Sequence, residues 1–326
     1  MNAPLPYGIG GGLHGCSRRA AMAVGVRGLA TLLAGGTAPS AVDAQAPAAR
    51  PIRLRDALER DVVLPQPPQR IVTIFSSNTE LVVALGLAGR IVGVEEFTRY
   101  PADVARLPKV GGRLGFSVDA VAALRPDLVV VTPARQAAHQ LIEPMARIDV
   151  PVVVLLSRSL QEVLDNVRLV ARACGVPERG QAVAAALQAR LDAVDSRLRA
   201  VHRPRALMVT GRAGHGMVLV ARPGTYTGDA MERAGTRHAI PGLGTLSQVS
   251  PEALLSADPD VLLFAGTQAA LDDWSRQPGW RDMRAVRKGK AIVVSRSEFL
   301  IPGPRTLAGI ESLAAHLHAG PQKAAS

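Results

Sequence analysis

The sequence predicts a two-lobed α/β protein in which two parallel-sheet lobes are joined by a single long backbone helix. Three observations lead there. Short apolar runs alternate with helical segments along most of the chain, the pattern of sheets covered by helices. One helix–turn–strand unit occurs twice at identical spacing. Ser117-Val118-Asp119-Ala120-Val121 leads to Pro126-Asp127-Leu128-Val129-Val130-Val131, and Ser250-Pro251-Glu252-Ala253-Leu254 leads to Pro259-Asp260-Val261-Leu262-Leu263-Phe264. Between the copies lies the longest helical signal. Val183, Leu187, Leu191, Val194, Leu198 and Val201 form one stripe, with Arg190, Asp192, Asp195, Arg197 and Arg199 off it. A single stripe kept over about six turns suits a helix lying along two bodies.

The elements follow in order. Residues 1–44 read as an export signal: Ser17-Arg18-Arg19 is a basic start, residues 20–34 are weakly apolar and Ala-rich, and Val42-Asp43-Ala44 offers small residues to a signal peptidase. Cleavage after Ala46 would put Pro47 at the scissile bond, so cleavage after Ala44 is expected. The arginine pair resembles a twin-arginine signal, although Ala21 and Met22 stand where Phe and Leu are usual. Leu13-His14-Gly15-Cys16 precedes the apolar run and is not read as a lipidation site. Residues 45–69 are a linker and a hairpin of strands 51–55 and 62–64, stopped by Pro65, Pro67 and Pro68. Residues 70–158 form the first lobe, with strands 71–75, 91–94, 128–131 and 152–156. Its helices start at Ser77 or Asn78, at Ser117, and near Gln136, the last with Pro144 as a kink. Linking helices occupy 159–202, over 160–173 and from Pro177 to about Val201. Residues 203–320 form the second lobe, with strands 205–210, 217–220, 261–264 and 291–294. Its helices cover 227–234, follow Ser250, and cover 307–317; residues 321–326 are a tail.

Composition narrows the function. Hydrophobic residues make up 48% and aromatics only 3%, so the core is built from Ala, Val and Leu. Net charge is +11, and removing the leader with its three arginines and Asp43 leaves about +9. The basic residues are scattered without interleaved aromatics, which argues against nucleic acid. Cys16 falls in the leader, so Cys174 is the lone mature thiol and no disulfide is expected. No GxxxxGK[ST], HExxH, GxSxG or CxxC pattern occurs, so no catalytic residue is assigned. Gly211-Arg212-Ala213-Gly214-His215-Gly216 follows a strand as a phosphate cradle would, but lacks GxGxxG and reads as a plain cleft loop. Seven histidines are spread thinly, which disfavours a bare zinc or manganese binder and assigns no protein-held metal.

Several stretches together resemble the iron-chelate, haem and vitamin B12 class (class III) of periplasmic solute-binding proteins of ABC importers. These are the hairpin from Leu54-Arg55-Asp56 to Val62-Val63-Leu64-Pro65; Asn78-Thr79-Glu80-Leu81; Leu85-Gly86; Ile91-Val92-Gly93-Val94; Leu124-Arg125-Pro126-Asp127-Leu128-Val129; and Gln248-Val249-Ser250-Pro251-Glu252-Ala253-Leu254-Leu255. The resemblance runs from Ile52 to the last helix. It implies two Rossmann-like lobes with a ligand cleft between them, a periplasmic monomer, and a cognate ABC permease dimer at the inner membrane. It also implies one permease-docking acid per lobe, Asp119 and Glu252.

Ligand contacts in such a cleft come from loops at the strand ends. The candidates are Phe97, Arg99, Tyr100, Arg113, Arg135, His139, Arg212, His215, Tyr226, Leu246 and Phe299. The set leans basic. Arg113, Thr132 and Leu246 stand where B12 binders of the resembling class carry Trp, and Gly112 stands where haem binders often carry Tyr. Guanidinium groups suit carboxylate, phosphate or catecholate edges, so the expected ligand is an anionic ferric siderophore-type chelate. Cobalamin and haem are the alternatives, with His139, His215 or Tyr226 as axial ligands for the latter. The chelate is cargo; no intrinsic cofactor is expected.

Overall fold

The computed structural model describes residues 50–112, 115–132, 137–243 and 247–318. The chain divides after Ala48, and the described residues belong to the unit beginning at Ala49. The leader with Cys16, and Arg113, Arg135 and Leu246 among the candidates, lie outside the described residues.

The chain enters through β1 (Ile52–Arg55) and β2 (Asp61–Leu64), an antiparallel hairpin. The first sheet follows: β3 (Ile71–Ile74), α1 (Ser76–Ala84), β4 (Ile91–Val94), the short pair β5 (Gly111–Gly112) and β6 (Gly115–Phe116), α2 (Val118–Ala123), β7 (Leu128–Val131), α3 (Ala137–Ala146) and β8 (Val152–Val154). Its order is β4-β3-β7-β8, all parallel. Two helices, α4 (Leu160–Ala173) and α5 (Pro177–Arg197), lead to the second set: β9 (Arg205–Arg212), β10 (Val218–Val220), α6 (Tyr226–Arg233), β11 (Arg237–His238), β12 (Gln248–Val249), α7 (Pro251–Ala257), β13 (Val261–Ala265), α8 (Gln268–Ser275), α9 (Arg284–Arg287), β14 (Ala291–Val294), α10 (Arg296–Phe299) and α11 (Thr306–His318). The second sheet runs β12-β10-β9-β13-β14, with β11 beside β9. The β9, β13 and β14 strands are parallel, and β10 is antiparallel to β9.

The duplicated unit is real and reaches further than its sequence. Ser117 Oγ accepts from Ala120 N at 3.1 Å, and Ser250 Oγ from Ala253 N at 3.2 Å, so both serines cap their helices. After each helix the Pro-Asp turn clamps the neighbouring strand. The Asp127 carboxylate accepts from the amides of Gln69 and Arg70, both at 2.8 Å, and Asp127 N donates back to Arg70 O at 2.9 Å. Asp260 accepts from Arg205 N at 3.0 Å, and its amide returns to Arg205 O at 2.8 Å. The residue matching Gln69 is Pro204, which has no N–H; Arg284 Nη1 fills the free carboxylate oxygen at 3.1 Å. Arg70 and Arg205 also donate to the last helix carbonyls, at Leu124 O (2.7 Å) and Ala257 O (2.8 Å).

One continuous core runs through both lobes. It joins Ile71, Leu81 and Val130 to Leu164, Val167, Leu191 and Val194 of the linking helices, and on to Met208, Met231, Leu263 and Leu313. The outer face of each sheet has its own core. Val72, Val129 and Val131 pack with Leu141 and Met145; Leu207, Val209 and Phe264 pack with Leu254, Trp274 and Trp280. Strands buried on both faces explain the unbroken apolar runs.

The linking segment is an antiparallel helix pair that reaches both lobes: α4 packs on α1 and donates from Leu160 N to Asp229 Oδ2 at 3.4 Å, and α5 touches both along its length. At its start Arg179 Nη1 donates to Leu85 O at 2.8 Å; towards its end Arg190 pairs with Glu311 and Asp195 with Arg233. Gly180 permits the close crossing, because a Cβ there would lie 2.2 Å from Ala171 Cβ. The expected stripe holds from Leu187 to Leu198, while Val201 lies beyond the helix and is 37% exposed. The entry hairpin covers the free edge of β8: Ala57 N donates to Val154 O, Asp56 accepts from Val154 N, and Arg60 Nη2 donates to Val152 O.

One expectation is corrected. Neither Ser77 nor Asn78 caps α1, which starts at Ser76. Phe75, the residue before the helix, sits at φ 93°, a costly conformation for a bulky side chain. The capping acceptor is Glu95, which takes Ser76 N at 2.8 Å and Ser76 Oγ at 2.6 Å.

The Asp127 clamp should be measurable as stability. Asp127→Ala removes a carboxylate from two backbone donors and should cost about 1.5–3 kcal/mol. Urea unfolding should show a lower midpoint at unchanged slope; an unchanged midpoint would mean the clamp contributes nothing.

Candidate functional site

In parallel sheets, ligand sites form where loops leave the carboxyl ends of strands. In the first lobe that edge is packed with buried polar groups. Thr73, Ser76, Ser77, Asn78, Thr79, Glu80, Glu95 and Thr98 are all buried at the ends of β3 and β4 and in α1. Asn78 Nδ2 donates to Ile74 O at 2.7 Å, and its Oδ1 accepts from Thr132 Oγ1 at 3.1 Å, tying the ends of β3 and β7 together. In the second lobe Arg296 Nη1 does similar work, donating to Thr210 O (2.9 Å) and Ala265 O (3.0 Å) at the ends of β9 and β13.

The two edges meet at an ion pair. Glu80, on α1, is 4% exposed; Arg305, just before α11, donates to its carboxylate from Nε at 3.0 Å and from Nη2 at 2.5 Å. Gly303 makes room for it, since a Cβ there would lie 3.0 Å from Glu80 Oε2. Burial pushes the Glu80 carboxyl up, and Arg305 pulls it back only in part, so it sits above the ordinary glutamate value. The Arg305 guanidinium also lies 4.3 Å from the ring centroid of Tyr100, on the loop after β4.

The candidates separate against this frame. Phe97 and Tyr100 are 49% and 46% exposed on that loop. Arg99 beside them is exposed, with Nη1 donating to Glu96 O and Thr98 O. Arg212 and His215 are exposed in the second lobe, at the end of β9 and in the turn to β10. Arg212 lies 4.5 Å from the Trp274 ring centroid and has no ion-pair partner among the described residues. His139 lies on α3, its side chain outside the described residues.

Tyr226 and Phe299 are removed from the ligand set by burial. Tyr226 is 6% exposed, and its hydroxyl donates towards Glu298 O and Ile301 O and pairs with the Thr306 hydroxyl. Its pKa is raised by burial. Tyr226 therefore anchors the loop carrying Arg305, and Phe299, 1% exposed, is core.

Sequence reasoning missed Glu80, Arg305, Arg296, Trp274 and Trp280. Glu80 left a signal: an acid inside the apolar helix Asn78-Thr79-Glu80-Leu81-Val82-Val83 needs a buried partner. The partner, far along the chain, left none.

Asp119 and Glu252 are both exposed, each in the first turn of its helix. The Glu252 carboxyl is held below the ordinary value by its own backbone amide and the Ser250 hydroxyl. Among the described residues no three His, Cys, Asp or Glu side chains gather as a metal-holding group, and no helix is long and apolar enough to cross a membrane.

A family model described as periplasmic binding protein matches residues 71–296. An uncharacterized ABC transporter substrate-binding lipoprotein of Bacillus subtilis is 23% identical over 272 residues, covering 82% of this chain and 86% of the relative. The vitamin B12-binding protein of Vibrio parahaemolyticus is 23% identical over 262 residues, 79% of this chain and 92% of that one. Among solved structures, the periplasmic heme-binding protein from Roseiflexus sp. RS-1 in apo form superposes with a TM-score of 0.69 at 28% identity. It covers 77% of this chain and 98% of that one.

The raised Glu80 value has a signed consequence. Its folded-state pKa exceeds the unfolded one, so the linked stability is fully present below the ordinary glutamate value of 4.5 and is lost as pH rises through the folded value. Thermal unfolding of wild type and Glu80→Gln between about pH 4 and 8 should show wild type gaining on the variant as pH falls. A gap that stays constant with pH would refute the raised value.

Proposed function

We propose, from the premise that the chain belongs to the periplasmic binding protein family, that it is the exported substrate-binding component of an ABC importer. In this reading it captures an anionic ferric chelate between its lobes and delivers it to a cognate permease dimer at the inner membrane. The observation that carries the ligand class is the pairing of exposed groups on the two strand-end edges. Phe97 and Tyr100 offer apolar ring surface from one lobe, and Arg212 offers a guanidinium with no acidic partner among the described residues from the other. An anionic metal chelate with flat ligand arms suits that combination.

The relatives motivate two alternatives in the same role. Cobalamin would need broad aromatic walls, and Phe97 and Tyr100 are the large exposed rings among the described residues. Haem would need an axial ligand; Tyr226 is committed internally, and His215 is the exposed candidate described. A bare metal ion gains no donor set among the described residues, and an enzymatic reading has no support from the relatives, which are named as binding proteins. Mass spectrometry of small molecules co-purified from the periplasm of the iron-limited native host tests the ligand class. A ferric chelate mass supports the reading; a cobalamin or haem mass replaces it.

Asp119 and Glu252 are assigned to permease docking. Helix-dipole stabilisation alone, worth about 0.3–1 kcal/mol, would explain an acid in each first turn. Docking requires in addition that both carboxylates be exposed, as they are. Replacing both with Ala should leave ligand affinity nearly unchanged and lower uptake more than either single change. Replacing both with Arg should be worse, because like charges would then face permease arginines. Normal uptake by the double Ala variant at native expression would reduce both acids to helix caps.

A further inference from the structure

The second lobe contains a cavity of its own. Its volume is 390 Å³, and its walls include Arg212, Met217, Pro251, Trp274, Gln277 and Trp280. That size is at the lower end of small-molecule sites, suited to a ring rather than a whole chelate. Both tryptophans of the chain are in this wall. Their rings meet edge to face, with centroids 4.5 Å apart, and Phe264 backs Trp274 at 5.2 Å. The indoles are rigid: they are 7% and 6% exposed and belong to the outer core of the sheet. Pro251 adds a stiff wall, and Met217 an adaptable one.

Arg212 gives the cavity its polarity. Its guanidinium stacks over Trp274 at 4.5 Å. Other arginines near strand ends spend their donors on protein: Arg296 on two carbonyls, Arg305 on Glu80, Arg284 on Asp258 and Asp260. Arg212 has no acidic partner among the described residues. A guanidinium stacked on an indole keeps its N–H donors in the plane of the fork, where a carboxylate or a pair of phenolate oxygens can accept side by side. The turn beside it is open: a Cβ at Gly214 or Gly216 would meet nothing within 4 Å.

We infer that this cavity is a subsite for a flat anionic aryl group, such as a benzoate- or catecholate-type ring, held by Arg212 at its charged edge and by the two indoles on its apolar body. The inference deepens the chelate reading by naming the ligand arm, and it rests on that reading only for where the ring comes from. The free ring should bind by itself.

The experiment therefore uses salicylate and 2,3-dihydroxybenzoate as probes on the full mature protein, read by intrinsic tryptophan fluorescence and by calorimetry. Saturable quenching is expected, because the only two tryptophans line the site. Acetate, which lacks the ring, and benzyl alcohol, which lacks the charge, should bind far more weakly. Arg212→Gln should weaken salicylate roughly ten- to hundred-fold, the effect of losing a charge-assisted hydrogen bond. Because Arg212 is exposed, its melting temperature should stay near that of wild type; Trp274→Phe, a milder core change, should weaken the ring probes while sparing acetate. No saturable response, an equal response to acetate or benzyl alcohol, or unchanged affinity in Arg212→Gln would overturn the subsite. Loading of intact ferric chelates, followed by their visible absorbance after desalting, is read separately. Ring binding without chelate loading would remove the chelate reading and leave the subsite standing; chelate loading without ring binding would remove the subsite alone.

Discussion

The carboxylate that follows the proline in each Pro-Asp turn sets the geometry on which both lobes depend. Parallel strands are joined by long crossovers, and a crossover does not by itself fix register. Asp127 fixes it in the first sheet by holding the amides that lead into β3, so Ile71 stands opposite Leu128. Asp260 does so in the second, with Ala206 opposite Val261. The arginine held at each clamp then ties down the end of the preceding helix. Helix end, turn and strand start become one unit, and the carboxyl ends of the strands are brought to a defined level. The exchange of an amide at Gln69 for a guanidinium at Arg284, forced by Pro204, shows that the hydrogen-bonding requirement is conserved between the halves while its chemistry is not.

With each lobe fixed internally, their mutual placement follows from two further features. The inner faces of both sheets pack on one continuous core through α4 and α5, so a large hinge motion would expose apolar surface. Glu80 and Arg305 then join the strand-end edges across the lobes. A buried ion pair is a poor source of net stability, because desolvation opposes it. Its contribution here is placement: Glu80 accepts two donors from one fork, and Arg305 in turn carries the Tyr100 ring. Ligand capture by such a body calls for surface groups already in position rather than for a closing jaw.

Much of this fold was legible from the chain because its signals are local. The Ser caps, the Pro-Asp turns and the apolar strand runs put the two lobes in place, and α4 runs over the expected residues 160–173. Two-residue strands such as β11 and β12 carry no alternation and left no trace. The α8 helix had a readable signal in Thr267, whose hydroxyl accepts from Ala270 N, and it was overlooked. The start of α1 was misplaced for a different reason: its cap is Glu95, just past the end of β4, so the local Ser and Asn suggested a boundary that tertiary contacts override. The site was less legible for the same reason. Phe97, Tyr100 and Arg212 are exposed at strand ends as a cleft reading requires, whereas Tyr226 and Phe299 proved to be internal, because sequence position places a residue near an edge without saying which way it faces.

With aromatics at only 3%, where each ring goes becomes informative. Tyr226 and Phe299 are spent on anchoring the loop that carries Arg305. Trp274, Trp280 and Phe264 form a rigid herringbone against the outer face of the second sheet. Phe75 accepts a strained backbone at the turn where β3 delivers the chain into a buried polar cluster. Phe116 is half-buried against the outer core of the first sheet. Of the rings in the described residues Phe97 and Tyr100 then remain, and both are exposed on one loop at the lobe junction. Exposed rings are apolar surface left in contact with water, which the folding of this chain alone does not remove. In a chain this sparing of aromatics, two exposed rings on one strand-end loop, one of them stacked on the inter-lobe arginine, are the surface that the proposed ligand would cover.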